Sequence, residues 1–229
     1  MAWTPRKRSM LLGIDESGRG PVIGDMVIAG VVLPSRRSER LLKKEGVKDS
    51  KVLSRKKREA LFPIIQRASL RIVTRAVTAS DVDSWRESGK SLNELEAKVF
   101  AEIINETRPR LAIVDCSDVV PRTFRSRMAR YMNGAAPKLI CEHFADRNYP
   151  VVSAASIIAK VTRDSGIRDL CAAVGQLGTG YCSDRRTVEF LESWFDANGS
   201  FPPFVRRTWR TADRIKQGAA RRRISDRGL

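Results

Sequence analysis

Apolar runs bounded by polar residues predict the strands of this chain. Two runs stand early, at about residues 9–15 and 24–33, and three more follow at about 70–77, 111–115 and 138–141. Runs of this length are typical of buried strands. Because the first two strands follow each other with no helix between them, we expect a sheet that mixes antiparallel and parallel pairs.

Segments with apolar residues at helical spacing separate the later strands. The predicted helices cover about residues 54–62, 91–106, 121–132, 153–174 and 184–195. Ser54 is a candidate N-cap, and Ser91 with Glu94 forms a capping box. Strands and helices that alternate in this way predict an α/β fold, a mixed sheet flanked by helices.

The charge of the chain indicates its class of partner. The 229 residues contain 43 Lys and Arg against 26 Asp and Glu, a formal net charge of +17. This excess predicts a polyanionic partner, nucleic acid before acidic membrane. The C-terminal residues 218–229 are rich in arginine, and we expect a basic, disordered tail there.

Cysteine and histidine usage narrows the chemistry. The four cysteines form no C-x-x-C pair, and His143 is the only histidine. A structural zinc site and a disulfide framework are therefore not expected, and reduced thiols favour a cytoplasmic protein. No apolar run reaches the roughly 18 residues that span a bilayer, so no membrane partner is expected.

Carboxylates stand where predicted strands end. Asp15 and Glu16 follow the first strand, Asp115 ends a later one, and Asp146 precedes the longest helix. Asp15 and Glu16 can share one site only if their strand ends there, since side chains alternate along a strand. Alternative interpretations are a solvated turn for Asp15-Glu16 and a helix-dipole partner for Asp146.

If the two acid-bearing strands are neighbours, the four acids meet at one edge of the sheet. So many like charges would repel each other strongly without cations. A pair of Mg²⁺ or Mn²⁺ ions that activates water for phosphodiester cleavage resolves this conflict. A basic protein with an acidic cluster thus fits a metal-dependent nuclease.

Several motifs, in order along about residues 10–215, carry a resemblance to a known family. They are Asp15-Glu16-Ser17-Gly18-Arg19-Gly20-Pro21, Asp49-Ser50-Lys51-Val52-Leu53-Ser54, Leu92-Asn93-Glu94-Leu95-Glu96, Asp115, residues 149–161 (YPVVSAASIIAKV), residues 178–184 (GTGYCSD) and residues 204–209 (FVRRTW). In these motifs the chain resembles ribonuclease HII, the type 2 ribonuclease H, and its archaeal branch.

The resemblance implies a ribonuclease H-like mixed β-sheet flanked by helices, with a C-terminal helical region. It implies a catalytic domain over residues 1–175 and a substrate-gripping helical region over 176–217. It also implies a metal-dependent endoribonuclease that cleaves the RNA strand of RNA–DNA hybrids, and duplex DNA 5′ of embedded ribonucleotides, leaving 3′-hydroxyl and 5′-phosphate ends. The expected partners are these nucleic acids. A monomer is expected, and a sliding-clamp partner is not evident in the sequence.

The resemblance also assigns individual residues. Asp15, Glu16, Asp115 and Asp146 match the metal-binding acids. Gly18, Arg19 and Gly20 match the segment that senses the ribose 2′-hydroxyl, Tyr181 matches the tyrosine that packs on the sugar there, and Lys51 matches a residue near substrate phosphate. The 2′-hydroxyl is the group that distinguishes RNA from DNA at a given site.

The chain departs from the family at three positions. Phe144 stands where the family usually has a lysine, so a substrate contact made by that lysine is not expected in this chain. Cys182 and Arg186 stand where prolines are usual, so we expect a less rigid loop around Tyr181.

Two alternative functions remain to be weighed. A nuclease or resolvase of the same fold that cuts DNA would not need a 2′-hydroxyl sensor, and fold alone does not separate it from the first reading. A basic nucleic-acid-binding protein without catalysis would leave the acids unexplained. Cleavage assays with and without EDTA discriminate among the three.

Overall fold

The computed structural model describes residues 10–225, and side chains as far as residue 222. Within this part of the chain the strands are β1 (Leu11–Ser17), β2 (Met26–Leu33), β3 (Arg71–Val77), β4 (Leu111–Asp115) and β5 (Lys138–Glu142). They form one sheet in the order β3-β2-β1-β4-β5. Strand β1 is antiparallel to β2 and parallel to β4, and β4 is parallel to β5. The predicted mixed sheet is confirmed.

Helices connect the strands from β2 onward along the chain and follow the last one. They are α1 (Arg36–Lys44), α2 (Arg55–Ala68), α3 (Ala79–Glu87), α4 (Leu92–Thr107), α5 (Pro121–Ala129), α6 (Ala145–Asn148), α7 (Pro150–Val174), α8 (Arg185–Asn198) and α9 (Arg210–Ser225). A single 3-10 turn, Ser50–Val52, precedes α2. The side chains of Ser54 and Ser91 cap α2 and α4 as predicted, each accepting a backbone N–H of the first turn. The Glu94 carboxylate, predicted to complete a capping box with Ser91, accepts hydrogen bonds from Arg127, Arg130 and Tyr131. The side chain of Asp184 caps α8 by accepting the N–H of Arg186.

Helices α1, α3 and α6 lie where the sequence pattern predicted none. Helix α1 is almost wholly polar and buries one apolar side chain, Leu42, so a pattern of apolar residues does not reveal it. Helix α3 carries a full capping box between Thr78 and Asp81, a signal that could have revealed it. Helix α7 begins at Pro150, before the predicted Ser153, since proline is well tolerated in a first turn.

The described residues divide into two compact units. The first contains residues 10–17, 27–76 and 91–162, and the second contains residues 18–26, 77–90 and 163–225. The domain boundaries that the sequence suggests at residues 175 and 217 remain predictions.

The core of the first unit lies against the sheet. An apolar cluster joins β1 and β2 to α1, α2 and the first half of α7. A Cβ atom on Gly13 of β1 would stand 2.4 Å from the carbonyl oxygen of Val151, so α7 packs directly on the strand backbone. A Cβ on Gly30 of β2 would stand 2.5 Å from the Ile103 side chain of α4. At both glycines a helix therefore packs directly on the backbone of the strand.

A separate apolar cluster forms the core of the second unit. Its buried members are Val22, Ile23, Leu177, Leu191, Val205 and Ile215. Helix α9 continues through residues 218–225 of the predicted disordered tail, because Ala212, Ile215 and Ala219 are buried at helical spacing. Residues 226–229 lie outside the described part. No helix between residues 10 and 225 is long and apolar enough to cross a membrane.

Candidate active site

Two of the predicted acids occupy neighbouring strands at the same level. The parallel register of β1 and β4 pairs Ile14 with Val114, so Asp15 and Asp115 take the next position on each strand. The prediction that β1 must end at the acids for Asp15 and Glu16 to share a site is wrong. Strand β1 stays paired with β2 through Ser17, and the charge of Glu16 still raises the pKa of both Asp15 and Asp115. Alternation therefore leaves Asp15 buried and Glu16 half-buried within one continuous strand.

A short loop brings Asp146 to the same place. Phe144 adopts a left-handed conformation, with φ of 57°, and turns the chain into α6. The backbone N–H of Ala145 donates a hydrogen bond of 2.7 Å to Oδ1 of Asp115. Asp146 follows at once and is buried. The carboxylate of Asp115 thus anchors the segment that carries the fourth acid.

The pKa values show that these carboxylates form one cluster. Burial raises the pKa of Asp15 well above its usual value, and the charges of Glu16, Asp115 and Asp146 raise it further, against a hydrogen bond from Ser156. Burial and the charge of Glu16 raise the pKa of Asp115 to about 6. The charges of Glu16, Asp115 and Asp146 therefore disfavour ionisation of Asp15, and those of Glu16 and Asp146 disfavour ionisation of Asp115, as close like charges do.

The carboxylate of Asp146 is buried, and its oxygens lack hydrogen-bond donors within the described part of the chain. Burial raises its pKa, and the charge of Lys51 opposes that rise. Neither of its oxygens accepts a hydrogen bond from the residues that the structure describes. The Lys51 Nζ lies 4.0 Å from Oδ2. Buried oxygens without donors are unfavourable unless a cation or a proton satisfies them.

The four acids fit divalent metal ions by their chemistry. Carboxylate oxygens are the ligands that Mg²⁺ and Mn²⁺ prefer. Between residues 10 and 225, no group of three or more His, Cys, Asp or Glu side chains is arranged closely enough to hold a metal ion. Asp15 interacts electrostatically with Glu16, Asp115 and Asp146, the residues that the sequence predicts as ligands of the ions.

Lys51 stands on the 3-10 turn beside Asp146. The Asp49 side chain caps this turn by accepting the backbone N–H of Lys51 at 2.8 Å. The hydroxyls of Ser50 and Ser156 share a hydrogen bond of 2.8 Å that joins the turn to α7. The Lys51 side chain is exposed, so its ammonium faces solvent next to the acids.

The second unit contains the predicted 2′-hydroxyl sensor. Gly18 has a φ of +89°, and a Cβ there would stand 2.6 Å from the carbonyl oxygen of Asp25. The backbone of this turn is held by the fully buried Arg206, whose guanidinium donates to the carbonyls of Gly18 at 2.6 Å and Arg19 at 2.7 Å. Burial lowers the pKa of Arg206 to about 10.

Trp209 completes this support. Its indole N–H donates to the carbonyl of Gly20 at 3.1 Å. Neither Arg206 nor Trp209 is among the residues predicted for the site, although both lie in the 204–209 motif. Arginine is rarely buried without partners, and the backbone carbonyls that Arg206 binds lie far from it in the sequence. Its supporting role is therefore visible only in the folded structure.

Tyr181 lies beside this turn within the second unit. A Cβ on Gly20 would stand 3.9 Å from Cε1 of Tyr181. The tyrosine is 36% exposed, and the guanidinium of Arg163 lies 5.0 Å from its ring centre. The structure therefore brings Gly20 and Tyr181 together as the resemblance implied.

Hydrogen bonds hold the loop of Tyr181 where the family's prolines are absent. Asp184 accepts the backbone N–H groups of Thr179 at 2.8 Å and Arg186 at 3.1 Å. Thr187 accepts the N–H of Gly180 and donates to the carbonyl of Leu177. The loop is thus fixed at both ends without the proline rings.

Comparisons with known proteins agree on one family. The family model described as ribonuclease HII matches residues 12–212. The ribonuclease HII of Methanothrix thermoacetophila is 44% identical over 208 residues, which cover 90% of this chain and 97% of that protein. The crystal structure of the ribonuclease H2 from Pyrococcus horikoshii OT3 matches with a TM-score of 0.85 and 42% identity, covering 92% of this chain and 99% of that one.

A further solved structure is a complex. The PCNA:RNase HII complex from Archaeoglobus fulgidus contains a chain that matches with a TM-score of 0.79 and 41% identity, covering 88% of this chain and 95% of that one.

Proposed function

This chain belongs to the ribonuclease HII family, and from that premise we propose how its own residues carry out the reaction. It is a hydrolase, an endoribonuclease that acts on RNA–DNA hybrids, and its family depends on divalent metal ions. The proposals concern the residues, the ions and the finer choice of substrate. The observation that carries them is the acid cluster around the Asp146 carboxylate.

Asp15, Glu16, Asp115 and Asp146 hold two Mg²⁺ or Mn²⁺ ions in this proposal. Bound divalent ions make a coordinated water more acidic and neutralise charge on the phosphate during cleavage. The chain's own contribution is to fix the acids. Asp15 and Asp115 are fixed by the strand register, and Asp146 by the Ala145 hydrogen bond to Asp115. Lys51 contributes a positive charge for a substrate phosphate.

Gly18, Arg19, Gly20 and Tyr181 recognise the ribose in this proposal. The carbonyls of the glycine turn are held by Arg206 and Trp209, so the turn needs no rearrangement to meet a 2′-hydroxyl. The ring of Tyr181 offers an aromatic face to the sugar. A preorganised sensor supports cleavage 5′ of a single ribonucleotide embedded in duplex DNA, leaving 3′-hydroxyl and 5′-phosphate ends.

The remaining expectations also stay proposals. We expect a cytoplasmic monomer with a catalytic part over residues 1–175, a helical gripping region over 176–217 and basic residues beyond it. A sliding-clamp partner is proposed because the Archaeoglobus fulgidus relative forms a complex with PCNA.

One assay tests the proposed function. Three duplexes of one sequence are compared: an RNA–DNA hybrid, DNA with one ribonucleotide, and DNA alone. Each is incubated with Mg²⁺, with Mn²⁺ or with EDTA. We expect metal-dependent cleavage of the first two and none of the third.

The same assay separates the alternatives. Cleavage of the all-DNA duplex would favour a DNA nuclease. Tight binding without cleavage in either metal would favour a binding protein. Cleavage of the single-ribonucleotide duplex on the 3′ side would contradict the junction assignment.

A further inference from the structure

Arg147 stands beside the acid cluster and has no role in the proposed reaction so far. It follows Asp146 directly, and its side chain is 52% exposed. Its Nε lies 3.3 Å from Oδ2 of Asp49, and its guanidinium centre lies 4.4 Å from the ring centre of Phe144. A surface arginine normally moves among many rotamers, whereas this one is restricted on two sides.

Phe144 has features that a packing role does not explain. The side chain is 55% exposed, although phenylalanine is usually buried. Its backbone has a φ of 57°, a strained conformation for a bulky residue. The ring covers one face of the Arg147 guanidinium, a favourable cation–π arrangement. The exposed ring therefore serves to hold the arginine.

The contacts of the guanidinium leave donors available. Arginine presents five N–H groups in a planar fork. The Asp49 carboxylate faces Nε, and the charge of the neighbouring Asp146 also lies near enough to interact with the guanidinium. The terminal nitrogens can thus bind a further group, and a phosphate matches their fork in geometry and charge.

The position of Arg147 beside the acid cluster indicates which phosphate it would bind. Lys51 stands 4.0 Å from one Asp146 oxygen, and Arg147 is covalently next to the same acid. Asp49 joins the two cations, since it caps the Lys51 turn and faces Arg147. The anion that must approach four carboxylates is the nucleic-acid backbone, and cations at their rim offset the repulsion.

We propose that Phe144 and Arg147 form a phosphate-binding platform, in which the ring and Asp49 hold the guanidinium ready for a backbone phosphate of the substrate. The platform rests on the proposed function, because it needs the acid cluster to be the site of cleavage. Arg147 is a substrate-binding residue in this scheme, and Phe144 is a positioning residue that acts through it.

Steady-state kinetics on the single-ribonucleotide duplex test the platform. Arg147→Ala should raise KM about tenfold, the effect of losing one charged hydrogen-bonded contact, and leave kcat within about twofold. The slope of log affinity against log salt should fall by about 0.9. Arg147→Lys should recover only part of the loss, because an ammonium lacks the planar fork.

A double-mutant cycle tests how Phe144 acts. Phe144→Leu should raise KM by a smaller factor than Arg147→Ala. The double variant should be no worse than Arg147→Ala alone, since the ring has nothing left to position. Arg122→Ala serves as the matched control: it removes an exposed cation of α5 in the same unit, and KM should not change.

Thermal melts separate binding from structure. If Arg147→Ala lowers Tm and kcat while KM and the salt slope stay at wild-type values, Arg147 only pins α6, and the platform is wrong. If Arg147→Ala does not fold, Arg147→Lys decides, and a wild-type KM there overturns the platform. Failure of the proposed function would look different: the wild-type chain would then lack metal-dependent cleavage of either RNA-containing duplex.

Discussion

At the residue scale, the acid cluster combines burial with mutual repulsion. Asp15 and Asp146 are almost fully buried, and the pKa values of both are raised mainly by that burial. Without cations such an arrangement costs folding free energy, which is the usual trade at a functional site. The repulsion among the acids should lower the free energy of unfolding, whereas metal binding by the acids should raise turnover, so the two effects can be measured separately.

Replacing Asp115 separates these two effects. Asp115→Asn keeps the side-chain shape and the carbonyl-type oxygen that accepts the Ala145 N–H, but it removes one charge from the cluster. We expect cleavage to fall by more than about a hundredfold, because a metal ligand is lost. In EDTA we expect Tm to rise by a few degrees, since about 1 kcal/mol shifts Tm by roughly 2–4 °C in a chain of this size.

Cleavage assays and thermal melts on one preparation check both halves. Wild-type turnover of the Asp115→Asn enzyme would remove Asp115 from the metal site. An unchanged Tm in EDTA would show that the repulsion is relieved by protonation instead.

Tyr181 tests recognition at the same scale. Tyr181→Ala should lose about 1–3 kcal/mol of stacking on a duplex with one ribonucleotide. A long hybrid should suffer less, because it offers other cleavage registers. Tyr181→Phe keeps the ring and serves as the control, with near wild-type rates on both. Equal losses of the alanine variant on the two substrates would indicate a general structural role.

At the scale of elements, the glycine turn after β1 depends on both conformation and space. Gly18 needs a positive φ, and the space for its Cβ is taken by the carbonyl oxygen of Asp25. Gly89, in the same unit, has a φ of +78° but nothing within 4 Å of its Cβ position. Comparing Gly18 with Gly89 therefore separates the cost of a positive φ from the cost of a steric clash of the Cβ atom.

Alanine at the two positions should differ in its effect. Gly89→Ala should cost about 1 kcal/mol of unfolding free energy, the cost of a left-handed alanine. Gly18→Ala should cost more than about 2 kcal/mol, because the backbone must also move away from Asp25. Denaturant unfolding of both variants measures the difference, and equal costs would show that the turn yields without strain.

At the scale of the whole molecule, the net charge of +17 supplies affinity that does not depend on sequence. Truncation after Gln217 would be a poor test of the basic end, because α9 continues to Ser225 and buries Ala219. Arg222 also bridges to Asp196 at 2.8 Å. Neutralising arginines without shortening the helix is the cleaner change.

The variant Arg221→Gln/Arg223→Gln keeps helix propensity and removes two charges. If both arginines contact phosphates, the salt slope of duplex binding should fall by about 1.8, at 0.9 per contact. The cleavage position should not change, since the junction residues set it. Binding measured across a salt series checks the expected change in slope. A wild-type slope would show that the phosphate contacts lie outside these two positions of α9.

Sequence alone determined the elements that depend on local chemistry. Apolar runs and capping residues gave the five strands and the helices begun by Ser54, Ser91 and Asp184, because burial and caps act within a few residues. The motifs also identified the family, and through it predicted the acids of the site. Helix α1 was not predicted because it has few apolar residues, and α6 because it is only four residues long. Helix α3 was missed although its Thr78–Asp81 capping box is a local signal.

Only the tertiary structure decided how distant residues meet. The strand register placed Asp15 of β1 beside Asp115 of β4, although β1 continues past Asp15 and Glu16. The hydrogen bond from the Ala145 N–H to Asp115 then brought Asp146 close to them. The buried Arg206 found its carbonyl partners almost 190 positions earlier in the chain, and Phe144 found Arg147. Such contacts depend on the packing of whole elements, and no local pattern of residues encodes them.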